Sequence, residues 1–255
     1  MRSATPSTDT IPTESSAPAS ALSPASHAVA VDVVLFTIHE GALKVLLITR
    51  QQPPFAGAWS LPGGFVRAHE SVDEAALREL QEETHITRVY LEQLYTFGNL
   101  NRDPRGRVIS VSYYAVVEWA QLRGQALPPV ASAGRDGQGA LGRWCPVTRL
   151  PELAFDHRQI VALALERLRH KVNYTSVGFQ LLPKKFTLSE LQQAYEVILG
   201  TALDKRNFRK KMLQLGILRS TSERRGEGRQ RPARLYSFAQ TRVIKLQEKG
   251  IVVPF

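Results

Sequence analysis

Cysteine is almost absent from this chain. The one thiol in 255 residues, Cys145, sits between Trp144 and Pro146. It has no partner within the chain, so neither a disulfide framework nor a cysteine-based metal site can be built. A reducing compartment is the expectation, with Cys145 a buried core thiol. Long apolar runs are missing too. Nothing approaches the roughly 20 residues needed to cross a bilayer, and the N-terminus lacks the apolar centre of a secretory signal. These absences point to a cytoplasmic protein with no membrane partner. Large apolar side chains are scarce over residues 1–27, which are mainly Ser, Thr, Pro and Ala. Such a composition cannot offset the entropy of ordering, and a disordered tail is expected there. Arg2 is the only basic residue before Lys44, which argues against a transit peptide.

Acidic residues run short in the last third. From Lys171 onward there are 17 Lys and Arg against 6 Asp and Glu, whereas residues 1–170 carry 16 against 17. The formal charge of +10 therefore resides in the rear of the chain. A chain of this length can bury one sizeable core or two, and the asymmetry of charge favours two. A near-neutral front suits a small-molecule domain, and a basic rear suits a polyanion. The expected division is a front domain over 28–170, a rear domain over 171–240 and a C-terminal tail over 241–255.

What is present is an unusual set of carboxylates. The run Gly64-Phe-Val-Arg-Ala-His-Glu70-Ser-Val-Asp-Glu-Ala-Ala-Leu-Arg78-Glu79-Leu80-Gln-Glu82-Glu83-Thr-His85-Ile86 predicts a helix over Val72 to Thr84. On such a helix Glu79 and Glu83 lie one turn apart, with Glu82 beside them, so three carboxylates converge on one patch. That patch repels itself unless a cation sits on it. Hard oxygen ligands of this kind suit Mg²⁺, or Mn²⁺, shared with substrate phosphates. The alternative is an amphipathic helix with a solvated acidic face and Ala75, Ala76 and Leu80 inward, but that requires neither Gly63-Gly64 before it nor Arg78 inside it.

The spacing is similar to the Nudix box, G-x5-E-x7-R-E-U-x-E-E-x-G-U with U aliphatic, at every fixed position but one, since His85 replaces the late Gly. The front domain thus resembles a Nudix domain, an α/β/α sandwich with a mixed sheet. The resemblance implies that Glu79, Glu82 and Glu83 hold metals bridging a nucleoside diphosphate. It also implies that Arg78 pairs with Glu70 to orient the helix, and that a backbone carbonyl at Gly63 joins the metal shell. Glu70, Arg78, Glu79, Glu82 and Glu83 make up the implied catalytic set.

Elsewhere in the front, Ala28 to Phe36 and Leu43 to Thr49 read as a hairpin about Glu40-Gly41. Phe55 to Phe65, with Pro62, Gly63 and Gly64, reads as a rigid loop in which glycine lets backbone approach a metal or phosphate. Leu91 to Phe97 and Val108 to Trp119 read as strands. Between them, Arg102, Asp103 and Arg105 are either ordinary turn residues or a two-pronged guanidinium grip on phosphate and ribose. An Arg-Asp-Pro-Arg-Gly turn is similar to one in Nudix proteins that handle ADP-ribose. Arg50, at the end of the second strand, is a further phosphate candidate. Residues 126–142 read as a mobile Gly, Ala and Pro-rich loop. A closing helix is expected over Asp156 to Lys171, capped by Asp156, with His157 a capping-turn residue. A base for hydrolysis would come from Asp136, Glu118, Glu82 or Glu79.

In the rear, Thr187-Leu-Ser-Glu190 is a capping box that starts a helix at Leu188 with Leu188, Leu191, Tyr195 and Ile198 on its buried stripe. Asp204 caps a second helix, with Phe208, Met212 and Leu215 inward and Arg206, Arg209 and Lys210 on the opposite face. A strand, a loop carrying Arg224, Arg225, Arg229 and Arg231, and another strand follow. Two helices at a short turn with a basic hairpin describe a winged helix-turn-helix that grips double-stranded DNA. The segments Val177 to Pro183, Phe186 to Glu196, Leu203 to Lys211 and Arg231 to Phe238 resemble the C-terminal domain of the Nudix-related transcriptional regulators of NAD metabolism. That resemblance implies a homodimeric repressor, associated with the nucleoid and released from its operator by ADP-ribose. The alternative is a working Mg²⁺-dependent ADP-ribose pyrophosphatase.

Overall fold

The computed structural model describes residues 27–84, 86, 89–122, 129–130, 140–172, 177–226 and 232–239. The expected N-terminal and C-terminal tails, most of the 126–142 loop, His85, Asp136, Arg229 and Arg231 lie outside the described residues. No helix among the described residues is long and apolar enough to cross a membrane.

Strand β1 (Ala28–His39) runs through the middle of a mixed sheet. It pairs antiparallel with β2 (Ala42–Thr49) across a two-residue turn in which Glu40 and Gly41 both take positive φ, 52° and 69°. Such a turn matches the natural twist of a hairpin. On its other side β1 runs parallel to β6 (Val108–Val116), which pairs with the edge strand β5 (Tyr90–Phe97). The loop expected from Phe55 to Phe65 carries two strand fragments, β3 (Trp59–Ser60) on β2 and β4 (Gly63–Phe65) on β1. A two-residue β7 (Pro129–Val130) pairs with β8 (Ala140–Pro146), which lies beside β2. β6 stops short of the expected Trp119, because the chain there turns into a 3-10 turn over Trp119–Leu122.

The period of two along β1 divides its side chains between the faces. Val31, Val33 and Leu35 pack with Ala75, Ala76 and Leu80 of α1 (Val72–Thr84), while Val34 and Phe36 pack with Ile160, Val161, Ala164 and Leu168 of α2 (His157–Val172). One helix therefore covers each face.

The rear begins with a 3-10 turn (Val177–Leu181) and α3 (Leu188–Leu199). The capping box is formed: Glu190 N donates to Thr187 Oγ1 at 3.1 Å, and Thr187 N donates to Glu190 Oε2 at 2.6 Å. Gly200, at φ 75°, closes the helix in the left-handed region. Asp204 caps α4 (Lys205–Gln214) by accepting from Asn207 N at 2.7 Å, and β9 (Leu218–Arg225) with β10 (Ala233–Phe238) makes the wing. The apolar core does not stop between the halves. Val34, Phe36, Val45 and Tyr114 of the sheet, Leu168 and Val172 of α2, and Leu191, Tyr195, Ile198 and Phe208 of the rear form one continuous cluster.

Candidate functional sites

The loop before the box helix is pressed against that helix at Gly64 and against the backbone of β1 at Gly63. A Cβ on Gly64 would lie 2.2 Å from Glu79 Oε1, and one on Gly63 would lie 2.2 Å from the backbone oxygen of Val31. The Gly63 amide donates to the Glu83 carboxylate, whose Oε2 is buried without a hydrogen-bond partner. Burial, and then the neighbouring charge of Glu79, pushes the Glu83 carboxyl well above the usual carboxylate range; burial raises Glu79 as well. Two adjacent carboxyls that resist ionisation, one with an orphaned oxygen, form a donor set that a divalent cation would relieve. Glu79 and Glu83 therefore fit such an ion.

Arg78 organises this helix. It donates to Glu70 at 2.8 and 2.6 Å, to Glu79 at 2.6 Å and to Glu82 at 3.3 Å. Bonding to Arg78 holds the Glu70 carboxyl at about 2, and Glu70 in return raises Arg78. Glu82 corrects the expectation of three converging carboxylates. It is half exposed and turned toward Arg67 at 3.2 Å and Arg78, and no group of three acidic, His or Cys side chains that could hold a metal is assembled among the described residues.

Beneath the loop lies a buried polar network. Arg102 was a candidate for phosphate contact from an open turn; the structure corrects this, since Arg102 is 8% exposed and its guanidinium binds Asp156 at 2.7 and 3.0 Å and Asp32 at 3.3 Å. Asp156 precedes α2 as expected, but its carboxylate answers Arg102 while its backbone carbonyl accepts from Ile160 N at 3.2 Å. His157 is no capping residue either. Its Nδ1 accepts from Leu61 N at 2.9 Å, so the proton sits on Nε2, 3.2 Å from Asp32 Oδ1. Burial alone would raise the Asp32 carboxyl, yet His157, Ser110 and Arg102 together bring it to about 2. Asp32 and His157 were missed as site residues. The available signal was Asp32 itself, a charge set in the apolar run Val31-Asp-Val-Val-Leu-Phe36.

The other ligand candidates gather at the rim. Arg50 donates to the Pro54 carbonyl at 2.8 Å and lies over the Phe155 ring. Asp103 and Arg105 pair with each other at 2.6 Å, and Arg105 lies over Phe65. Glu118, a candidate base, opens the 3-10 turn after β6.

In the rear domain Arg206 and Lys210 are exposed on α4 and Arg224 is exposed on β9. Two expected contacts are instead held within the domain. Arg209 donates to Ser189 Oγ at 3.1 Å, and Arg225 donates to Glu190 Oε1 at 2.6 Å and to the Lys185 carbonyl at 3.2 Å. These bonds brace α4 and the wing against the start of α3. Sequence reading also passed over Arg234, which is exposed directly opposite Arg224 in the wing register. Like charges facing across a hairpin are destabilising unless an anion lies between them.

Residues 26–164 match the NUDIX domain model, and residues 178–238 match that of the NrtR DNA-binding winged helix domain. The ADPR responsive transcriptional repressor NtrR of Acinetobacter baylyi is 38% identical over 211 residues, covering 82% of this chain and 81% of that protein. The crystal structure of Shewanella oneidensis NrtR complexed with a 27mer DNA matches with a TM-score of 0.70 and 38% identity, over 85% of this chain and 95% of that one. An ADP-ribose pyrophosphatase of Methanocaldococcus jannaschii is 39% identical over 134 residues, covering 52% of this chain and 70% of that protein. The box built around Arg78, the mixed sheet and the capped winged helix thus occur together in one known kind of protein, and this chain belongs to the NrtR family of Nudix-related transcriptional regulators.

Proposed function

We propose that this protein is a DNA-binding repressor of NAD metabolism genes whose Nudix domain senses ADP-ribose. The observation that carries the reading is the shared sheet: one face seats α1, which carries Glu79 and Glu83, and the other is packed in one apolar cluster with α2 and the rear helices, including α4, which carries Arg206 and Lys210. A ligand that moves the first then does work on the second. Mg²⁺, or Mn²⁺, is the expected ion at Glu79 and Glu83, where it would neutralise the carboxyls and take the diphosphate oxygens of the ligand. Arg78 keeps Glu79 in place, and Gly63 holds Glu83. The rear would lay α4 in a major groove, with Arg206 and Lys210 toward the duplex and Arg224 and Arg234 on the adjacent backbone. A homodimer would present two such helices to a two-fold operator.

Hydrolysis of ADP-ribose is the second reading, favoured by the intact acidic positions Glu79, Glu82 and Glu83. One experiment separates the two. The pure protein is bound to a duplex selected from a random pool, then given Mg²⁺ and ADP-ribose while DNA retention and AMP release are followed together. The expected result is loss of retention with ADP-ribose recovered intact. AMP release with retention unchanged would overturn the sensor reading in favour of the enzyme.

A further inference from the structure

The face of the sheet turned away from Glu79 and Glu83 holds a cavity of its own. Along β8 the alternation of side chains sends Trp144 into the cluster that contains α1 and Cys145 into the cluster that contains α2, and Arg143, two residues before Cys145, falls on the α2 side. There Arg143, Cys145, Pro146, Arg149, Leu150 and Pro151 line a space of about 440 Å³. That is room for a small organic molecule.

The walls are fixed before anything enters. Arg149 N donates to the Pro146 carbonyl at 2.9 Å and Val147 N to the Leu43 carbonyl at 3.0 Å, which closes the turn after β8 and ties it to β2. Arg158, in the first turn of α2, donates to the carbonyls of Leu150 and Pro151 at 3.3 and 2.7 Å. Collapse of this segment into the cavity would cost those bonds.

The charges say what could fill it. Arg67, Arg78, Arg102 and Arg105 are each held by a carboxylate. Arg143 and Arg149 are exposed, and neither guanidinium has an ion pair or hydrogen bond among the described residues. The lining contains no Asp or Glu to answer them. Burial raises the Cys145 thiol, and the charge of Arg143 pulls against that rise, so this cation acts on the floor of the cavity. Two unanswered planar cations over a bed of proline rings, Leu150 and a thiol suit a ligand that is anionic at one end and flat and apolar at the other.

We propose that this cavity binds a small aromatic carboxylate, at a site separate from the carboxylate pair of the Nudix box. The guanidinium forks match the two carboxylate oxygens, and Pro146, Leu150 and Pro151 take the ring. Inorganic phosphate would use the arginines and leave the apolar bed empty; a neutral ring would do the reverse. The inference does not depend on the ADP-ribose reading above.

The test applies ligand-observed NMR to the full chain with benzoate, the simplest member of the class, and with its neutral analogue benzamide. Inorganic phosphate, and ADP-ribose with Mg²⁺, are added as competitors. The expected result is that benzoate binds and benzamide does not, and that ADP-ribose fails to displace benzoate. Arg143→Gln and Arg149→Gln should each weaken benzoate roughly tenfold or more, the worth of a hydrogen bond to a charged group, with thermal unfolding confirming that each variant folds. Equal binding of benzoate and benzamide would overturn the role of the arginines. Displacement by equimolar phosphate would reduce the cavity to a bare anion site and overturn the aromatic assignment. Absence of benzoate binding, binding unmoved by both substitutions, or displacement by ADP-ribose would overturn the site itself.

Discussion

Arg169, in the last turn of α2, donates from Nε to the carbonyl of Ile198 at 3.0 Å and so binds the Nudix domain to the C-terminal end of α3. The same helix begins at His157, and His157 and the preceding Asp156 touch Arg102, Asp32 and the backbone at Leu61. One rigid element thus has the buried Asp32–Arg102 network at its head and the winged helix domain at its foot. Its packing gives the sheet and the winged helix little freedom to move separately.

Arg169→Met is therefore expected to uncouple the two activities. Met keeps the apolar stem packed and removes the hydrogen bond. Affinity for ADP-ribose and for DNA, each measured alone, should change less than the coupling between them. Typical coupling between sites is worth about 5- to 150-fold, and most of it should vanish. Should ADP-ribose release DNA from the variant as fully as from wild type, α2 is not the connection.

The buried carboxylate pair makes a prediction about stability. The Glu83 carboxyl is raised by burial and by Glu79, so in the metal-free protein its ionisation costs stability that grows as pH rises above the ordinary carboxylate value. Glu83→Gln removes that charge. At pH 8 in EDTA the variant should melt higher than wild type, by about 2–4 °C for each kcal/mol relieved. Adding Mg²⁺ should stabilise wild type and leave the variant nearly unmoved. A Mg²⁺-induced rise equal in both proteins would place the ion elsewhere.

Much of this was legible in sequence where the signal is local. The box helix, the Glu40-Gly41 hairpin and the Thr187/Glu190 capping box each depend on residues within a few positions of one another, and each appears where spacing placed it. In the buried network Arg102 reaches Asp156 and Asp32 across 54 and 70 positions and His157 reaches Leu61 across 96, and no periodicity encodes it. Side-chain direction was the other blind spot. Arg209 and Arg225 carry the right charge on the right elements, but Ser189 and Glu190 stand within reach and claim them. Glu82 is likewise drawn outward by Arg67, a partner fifteen residues away whose role composition cannot reveal.

Asp32 gives the pH dependence a direction. Its carboxyl lies at about 2 in the folded protein against an ordinary 3.8, so the stability it contributes is fully present above 3.8 and is lost as pH falls through about 2. The shift corresponds to about 2 kcal/mol. Asp32→Asn should lower the urea midpoint at pH 6, since Arg102 and His157 lose a buried partner. It should also flatten the fall in stability over that acid interval. An acid limb as steep as that of wild type would mean that another carboxylate governs it.

On the DNA side the structure sorts cations that sequence grouped together. Arg206, Lys210, Arg224 and Arg234 point to solvent, while Arg225 is spent on Glu190 and the Lys185 carbonyl. Each exposed cation that neutralises a phosphate contributes about 0.9 to the slope of log affinity against log salt. Arg224→Ala should therefore lower that slope by about one contact. It should also stabilise the free wing slightly, because Arg234 no longer faces a like charge. Arg225→Ala should weaken binding with the slope nearly intact, because what it removes is the brace between wing and α3 rather than a phosphate contact. Measuring both variants over a salt series distinguishes the roles: a slope lowered by Arg225→Ala and untouched by Arg224→Ala would reverse the assignment.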